Sequence, residues 1–424
     1  MKQNEMVLKM IKLLIIADDF TGALDTGIQF CGERTVLRFG RDDGYFHDLP
    51  ENTRVLIVDA ETRHLSPDHA GKIVMSIVQE AVRHEVVCVY KKTDSGMRGN
   101  IGMELSAALK SSDYNVLHFV PAFPELNRIT WNGIHYIEGQ EVAKSVFGRD
   151  PFEPVIFSDV RQIIAQQSSV PVALAKEKTN FTEGILIYDA RSKEDMEQIA
   201  AYLQQKQELH LLAGCAGFAS VLPRFLGIEK YQRNIPVLPN KLLTICGSIN
   251  AITLQQMDVA EQKGVSRIRL SVPQKLNVRW LNFQQGKADI DAIMIEAMRS
   301  DSCIIDCDGL GNQEQLEVYR KCMGLELETM RRRISYTMGA IVKELLDRGL
   351  EAVMLITGGD TLMAFIKQAE LTEMIPICEY APGVVLACVS YHGKKHYILS
   401  KSGGFGNPKL LLELEEQITN VRRN

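Results

Sequence analysis

Short apolar runs alternate with amphipathic stretches along the whole chain. KLLIIADD (12–19), RVLIVDAET (54–62), VVCVYKKTD (86–94), NVLHFVPAF (115–123) and ILIYDA (185–190) read as buried strands. Between them lie helical signals. TGALDTGIQFCGE follows the first run, and Ser66-Pro67 supplies an N-cap and first-turn pair for a helix to about Arg83. A further helix begins at Asn100, and SKEDMEQIAAYLQQ forms another. Continuously apolar strands alternating with helices predict parallel sheets covered on both faces.

A polar stretch, PRFLGIEKYQRNIPVLPN (223–240), interrupts this pattern with three prolines and no periodicity. The series then restarts with KLLTICGS, RIRLSV, SCIIDCD, AVMLIT, GVVLACV and KHYILS as strands. The expected architecture is therefore α/β, with two domains, each a mostly parallel sheet flanked by helices. The boundaries are residues 1–228, a linker at 229–240, and residues 241–424.

Composition narrows the function classes. The 424 residues carry 48 Lys+Arg against 53 Asp+Glu, a net charge of −5. Such a chain has no global field to attract nucleic acid or anionic lipid, so any anion must be held by a local site. The apolar core of the N-terminal segment, LLIIA, is too short for a signal peptide and runs into two aspartates. No run long enough for a membrane span occurs. Nine cysteines, an odd count without C-x-x-C, lie mostly in apolar runs and read as free thiols of a cytoplasmic protein. No zinc site is expected, and His84, His118 and His135 lack metal spacing.

In open α/β sheets ligands bind at the carboxyl ends of strands, so polar residues directly after apolar runs rank first. ADDFTGALD (17–25) places Asp18 and Asp19 at such an end. One aspartate there is commonly an N-cap, whereas a pair can orient a hydroxyl or act as a base. Arg63 in DAETRHLS (59–66) suits either a surface ion pair or a bidentate grip on a carboxylate. KKTDSGMRGN (91–100) packs Lys92, Asp94, Ser95, Arg98 and Asn100 around two glycines. This mixture fits a polyhydroxy acid.

In the second half, Gly247 and Ser248 of CGSIN precede a helix. There they serve either as a cap or as a phosphate cradle. TGGDT (357–361) follows a strand and opens a helix, and its glycines permit close backbone approach to an oxyanion. KSGGFGNP (401–408) offers the same chemistry after the last strand, and EYAPGVVLA (379–387) supplies a Pro-Gly turn. Neither a Walker A sequence nor G-x-G-x-x-G occurs, which disfavours P-loop NTPases and the common nicotinamide fold. RRR (331–333) reads as a charged helical face.

ADDFTGALD, KKTDSGMRGN, PAFPELNRITWNGIHY, TGGDT, APGVV and KSGGFG, in this order, resemble the four-carbon acid sugar kinase family across nearly the whole chain. The resemblance implies an N-terminal sugar-acid-binding domain, a C-terminal nucleotide-binding domain and an active site in the cleft between them. It implies ATP, with Mg²⁺, as phosphoryl donor to the terminal hydroxyl of threonate, erythronate or a 3-oxo-tetronate. Asp19 then matches a substrate-binding aspartate that doubles as the catalytic candidate, with Asp94 and Asp360 as alternatives. Arg63, Lys92, Asp94, Ser95 and Arg98 match acid contacts. Ser248, Gly358, Gly359, Asp360, Thr361 and Gly404 match ATP contacts. Three positions depart from the family pattern. Gly96-Met97 replace Thr-Leu, Asn127 replaces the glycine before Arg128, and Asn250 replaces a serine. A homo-oligomer is compatible with the chain.

Two other classes compete. A non-catalytic sugar-acid-binding protein or sensor would keep the arginines and dispense with the phosphate loops. An oxidoreductase on the same acids would need the dinucleotide glycines that are missing.

Overall fold

The computed structural model describes residues 10–31, 35–40, 44–150, 153–177, 181–228, 235–247, 250–307, 313–401, 404 and 406–419. The chain divides into two compact units, Met1–Arg233 and Asn234–Asn424.

In the first unit the strands are β1 (Leu13–Ala17), β2 (Thr35–Arg38), β3 (Val55–Asp59), β4 (Cys88–Lys92) and β5 (Val116–Val120). They continue with β6 (Arg128–Trp131), β7 (Ile134–Ile137), β8 (Gln140–Glu141), β9 (Val172–Leu174), β10 (Gly184–Ile187) and β11 (Leu211–Gly214). The main sheet has the order β2-β3-β1-β4-β11-β5-β10-β9, and all its pairings are parallel. Strands β1, β3 and β4 are buried at every position: their apolar runs fill the core, and Asp59, Lys91 and Lys92 at the ends of β3 and β4 are buried with them. A separate antiparallel ribbon, β6-β7-β8, follows β5.

The helices of this unit are α1 (Phe20–Gly27), α2 (Pro67–Arg83), α3 (Ile101–Ser111), α4 (Val160–Ala165), α5 (Lys193–Gln205) and α6 (Ala216–Phe225). Helix α2 buries Ala70, Val74, Ile77, Val78 and Ala81, a single stripe at helical spacing. Pro67 occupies its first turn as expected, although the Ser66 side chain makes no capping bond. Helix α6 runs through Pro223, the first residue of the polar stretch 223–240. So near a helix end the missing N–H removes only one bond.

The second unit contains β12 (Leu242–Cys246), β13 (Ser266–Arg269), β14 (Ser302–Asp306), β15 (Val353–Thr357), β16 (Glu373–Ala381), β17 (Val384–Tyr391) and β18 (Lys394–Lys401). Its order is β13-β14-β12-β15-β18-β17-β16. The first four pairings are parallel, and the last two form an antiparallel meander. The Pro-Gly element at 382–383 is the turn between β16 and β17, with Gly383 at φ 73°. Helices α7 (Ala251–Gln262), α8 (Val272–Leu276), α9 (Gln284–Arg299), α10 (Gln313–Met323), α11 (Leu327–Asp347), α12 (Gly359–Gln368) and α13 (Leu410–Thr419) complete the unit. All nine cysteines are free thiols. No helix among the described residues is long and apolar enough to cross a membrane.

Candidate functional site

In the first unit the chain lays strands to one side of β1 and then crosses to place β4 on the other. Ala17 is in register with both Asp59 of β3 and Lys92 of β4. The loops leaving these three adjacent strands therefore share the carboxyl edge of the sheet at its topological switch point. That placement brings Asp18, Asp19, Arg63, Lys92 and Asp94 together from distant parts of the sequence.

Arg63 is the hub. Its Nε donates to Asp18 Oδ2 and its Nη1 to Asp19 Oδ2, both at 2.7 Å, and its Nη2 lies 3.7 Å from Asp94 Oδ1. Its side chain is only 9% exposed, so this is a buried network and not the surface ion pair that is the default for an arginine. Asn100 Nδ2 holds the Arg63 loop from below by donating to the carbonyls of Thr62 and Leu65, each at 2.9 Å. Lys92 Nζ stands 3.9 Å from Asp18 Oδ1. Arg98 donates to both oxygens of Asp94, at 2.8 and 3.2 Å, and approaches Asp150 Oδ2 at 3.4 Å.

These contacts order the charges. Burial alone would raise the Asp94 carboxyl, but Arg63 and the Arg98 hydrogen bonds outweigh it and hold Asp94 well below the usual carboxylate range. Asp18 is likewise drawn down, against its own burial, by Arg63 and the neighbouring lysines. Asp59, in contrast, is pushed well up by burial and by the acidic groups around it. Asp19 is the most open of the four carboxylates, with 27% of its side chain exposed against 3% for Asp18. Its Oδ1 caps α1 by accepting from Gly22 N at 3.0 Å while Oδ2 faces Arg63. The glycine after Thr21 has a spatial reason. A Cβ on Gly22 would stand 2.4 Å from Lys92 Nζ and 2.5 Å from Asp19 Oδ1.

Ser95 is held by two residues of the β6-β7 ribbon. Its Oγ accepts from Arg128 Nη1, and its carbonyl accepts from His135 Nε2 at 3.0 Å. Burial holds His135 down at about 4, so the ring is neutral, with Nδ1 facing Thr130 Oγ1 at 3.0 Å. Asp18 belongs to the aspartate pair already singled out, and Arg128 and His135 lie within PAFPELNRITWNGIHY. Asp150 is the addition, from a loop without any pattern.

In the second unit the ends of β12, β15 and β18 are adjacent. Cys246 is in register with Thr357, and Thr357 with Lys401. These strands bring Cys246, the start of TGGDT and Lys401 to one edge. Gly358 has φ 93°, and Gly358 N donates to the Lys401 carbonyl at 3.2 Å. Gly358 is the N-cap of α12 and offers no side-chain cap, so the first amides of α12 face outward from a glycine turn. Gly359 and Asp360 lie in that first turn, and Thr361 is buried against Gly247, where a Cβ would meet Thr361 Oγ1 at 2.2 Å. Asp360 points outward, 60% exposed, with Arg331 at 3.7 Å. Lys401 is 1% exposed, donates to Thr253 Oγ1 at 3.2 Å, and is lowered by burial to about 8. Gly404 is exposed. Ser248 lies outside the described residues. RRR (331–333) sits on α11, with Arg331 and Arg332 paired to Glu328, as a charged helical face should be.

Comparisons with known proteins agree with this division. Residues 13–222 match the model of a sugar-binding N-terminal domain, and residues 243–411 that of a nucleotide-binding C-terminal domain. A D-threonate kinase of Salmonella typhimurium is 25% identical over 95% of this chain and 97% of its own. A D-erythronate kinase of Heliobacterium modesticaldum is 28% identical over 59% of this chain and 61% of its own. A 3-oxo-tetronate kinase of Pseudomonas fluorescens is 23% identical over 92% and 93%. Solved structures of proteins from Haemophilus influenzae and Salmonella typhimurium share the fold, with TM-scores of 0.76 and 0.79 at 18% identity. Each covers 96% of this chain and 100% of the other. With both domain models matched in order and kinases of three four-carbon acids as relatives, the chain belongs to the four-carbon acid sugar kinase family.

Proposed function

We propose that the protein transfers the γ-phosphoryl group of ATP to the terminal hydroxyl of a four-carbon sugar acid of the threonate, erythronate or 3-oxo-tetronate type. The observation that supports this most is the Asp19 carboxylate. It is fixed by Gly22 N on one oxygen and Arg63 on the other, yet it remains the accessible member of a buried charge cluster. A hydroxyl donating to Asp19 is oriented by a group that cannot itself swing away. As its oxygen attacks phosphorus, the proton passes to the same carboxylate. Asp94 is taken up by two arginines and Asp360 by solvent and Arg331, which leaves Asp19 as the base of choice.

On this reading Lys92, Asp94, Ser95 and Arg98 shape the acid site, and Arg63 serves by bracing three carboxylates. The amides at the start of α12, the Gly358 turn, Thr361 and Gly404 would receive the phosphates of ATP, with Ser248 as a further contact. The described residues contain no group of three or more His, Cys, Asp or Glu that could hold a metal ion. Mg²⁺ would be held by the nucleotide phosphates, its usual partners, and would offset charge during transfer. A coupled ADP-release assay against a panel of tetronates tests the proposal. Acid-dependent ADP release with a phosphorylated acid as co-product supports it, and acid binding without turnover contradicts it.

A further inference from the structure

Of the three arginines in the acid site, two are already committed to protein carboxylates. Arg63 spans Asp18, Asp19 and Asp94, and Arg98 spans Asp94 and Asp150. Arg128 is different. Its Nη1 donates to the Ser95 hydroxyl, and among the described residues no carboxylate lies within ion-pair distance of it. Its guanidinium lies over the ring of Phe147, 5.2 Å from the centroid, and Arg98 lies over the same ring at 5.1 Å. Two cations share one aromatic shelf, and only one of them is neutralised.

The shelf itself is rigidly mounted. Phe147 N donates to Ser145 Oγ at 3.2 Å, and its carbonyl accepts from Val155 N at 3.0 Å. The next residue, Gly148, packs so closely on the Ala143 carbonyl that a Cβ would stand 1.9 Å from it. On the other side the ring lies flush against Gly96, where a Cβ would come within 2.5 Å of two ring carbons. Gly96 is thus the counterpart of Phe147. A side chain at position 96, such as the family's threonine, would claim the space that the ring occupies.

We propose that Arg128 receives the substrate carboxylate and that Phe147, seated on Gly96, is the positioning residue that fixes the guanidinium plane for it. This deepens the proposed function and rests on it. A planar guanidinium held over a ring presents its outer edge to a carboxylate in a bidentate fork, with little rotamer freedom left to lose. The shelf therefore selects acids over their neutral analogues.

The test compares a turned-over sugar acid with its amide in wild type, Arg128→Gln, Phe147→Leu, Phe147→Tyr and Gly96→Ala. Phe147→Leu keeps an apolar side chain but loses the ring face. It should raise the acid KM roughly three- to thirty-fold, leave the ATP KM and kcat within about twofold, and leave the amide unaffected. Arg128→Gln should abolish the acid-over-amide preference. Phe147→Tyr, which keeps the ring face, should retain the wild-type acid KM that Phe147→Leu loses, and Gly96→Ala should add little once Phe147 is leucine. An unchanged acid KM in Phe147→Leu, or acid and amide weakened equally, overturns the assignment. If wild type releases no ADP with any acid, the kinase reading falls. Calorimetric binding of acid and amide without ATP then still decides the roles of Arg128 and Phe147, and absence of acid binding overturns both.

Discussion

Asp19 and Arg63 meet at 2.7 Å through Oδ2 and Nη1, while the second oxygen of the same carboxylate caps α1 at Gly22. One carboxylate thus ties the end of β1, the start of α1 and the loop after β3 into a single rigid corner. A group fixed at both oxygens can orient a hydroxyl without paying for its own ordering at the moment of reaction.

Asp19→Asn keeps the size of the side chain and one acceptor for the helix cap, and asparagine caps as well as aspartate. The variant should fold, bind ATP normally and lose about 10²–10⁴ in kcat. Steady-state kinetics beside a thermal melt check this. A loss below about tenfold in a folded variant would reduce Asp19 to a capping residue.

Arg63→Ala leaves Asp18, with 3% of its side chain exposed, without its main counter-charge. Breaking a buried pair from one side costs about 3–5 kcal/mol, so the unfolding free energy should fall by that order. Arg63→Lys should recover only part of it, because one ammonium cannot serve Asp18, Asp19 and Asp94 at once. Denaturant titration gives both values. Near-wild-type stability in Arg63→Ala would show that the network is solvated.

His135 and His118 are both held down by burial at about 4. The unfolded chain takes up protons on these rings near pH ~6.5, which the folded protein refuses until about 4. Stability should therefore be full above ~6.5 and fall as pH drops towards 4, by about 1.4 kcal/mol per pH unit for each ring. His135→Gln should remove one proton from that dependence. A variant profile parallel to wild type over this window would contradict the burial of a neutral His135.

Gly358 sits at φ 93°, where any side chain is strained. Gly358→Val should raise the ATP Kd by more than about tenfold and leave acid binding unchanged, since the residue belongs to the second unit's turn and not to the acid site. Calorimetry with each ligand separates the two. Equal weakening of both would indicate misfolding, and no change in ATP affinity would remove the Gly358 turn from the nucleotide site.

The charged corner was legible because its members follow buried strands. KLLIIADD, RVLIVDAET and VVCVYKKTD announce their strands by unbroken apolar runs, and the polar residues after them must emerge at one sheet edge. Which charges pair was not legible. Pairing depends on β3, β1 and β4 being neighbours in register, which only the assembled sheet fixes. Phe147 and Asp150 escaped notice because they lie on a loop without periodicity and reach the site through a 3₁₀ turn. Strands β2, β9 and β11, of three to four residues, are too short to stand out by pattern. The meander β16-β17-β18 includes two strands read correctly as apolar runs. Their antiparallel pairing comes from the Pro-Gly and His-Gly turns between them, which only permit it.

The central claim is that this chain phosphorylates a four-carbon sugar acid, and the most direct measurement is ADP release by the wild-type protein with ATP, Mg²⁺ and each tetronate in turn. ADP formed in step with a phosphorylated acid, for at least one threonate, erythronate or 3-oxo-tetronate and not without acid, is the predicted result. Saturable acid binding with no acid-dependent ADP release across the panel would contradict it and mark the protein as a binding module or sensor.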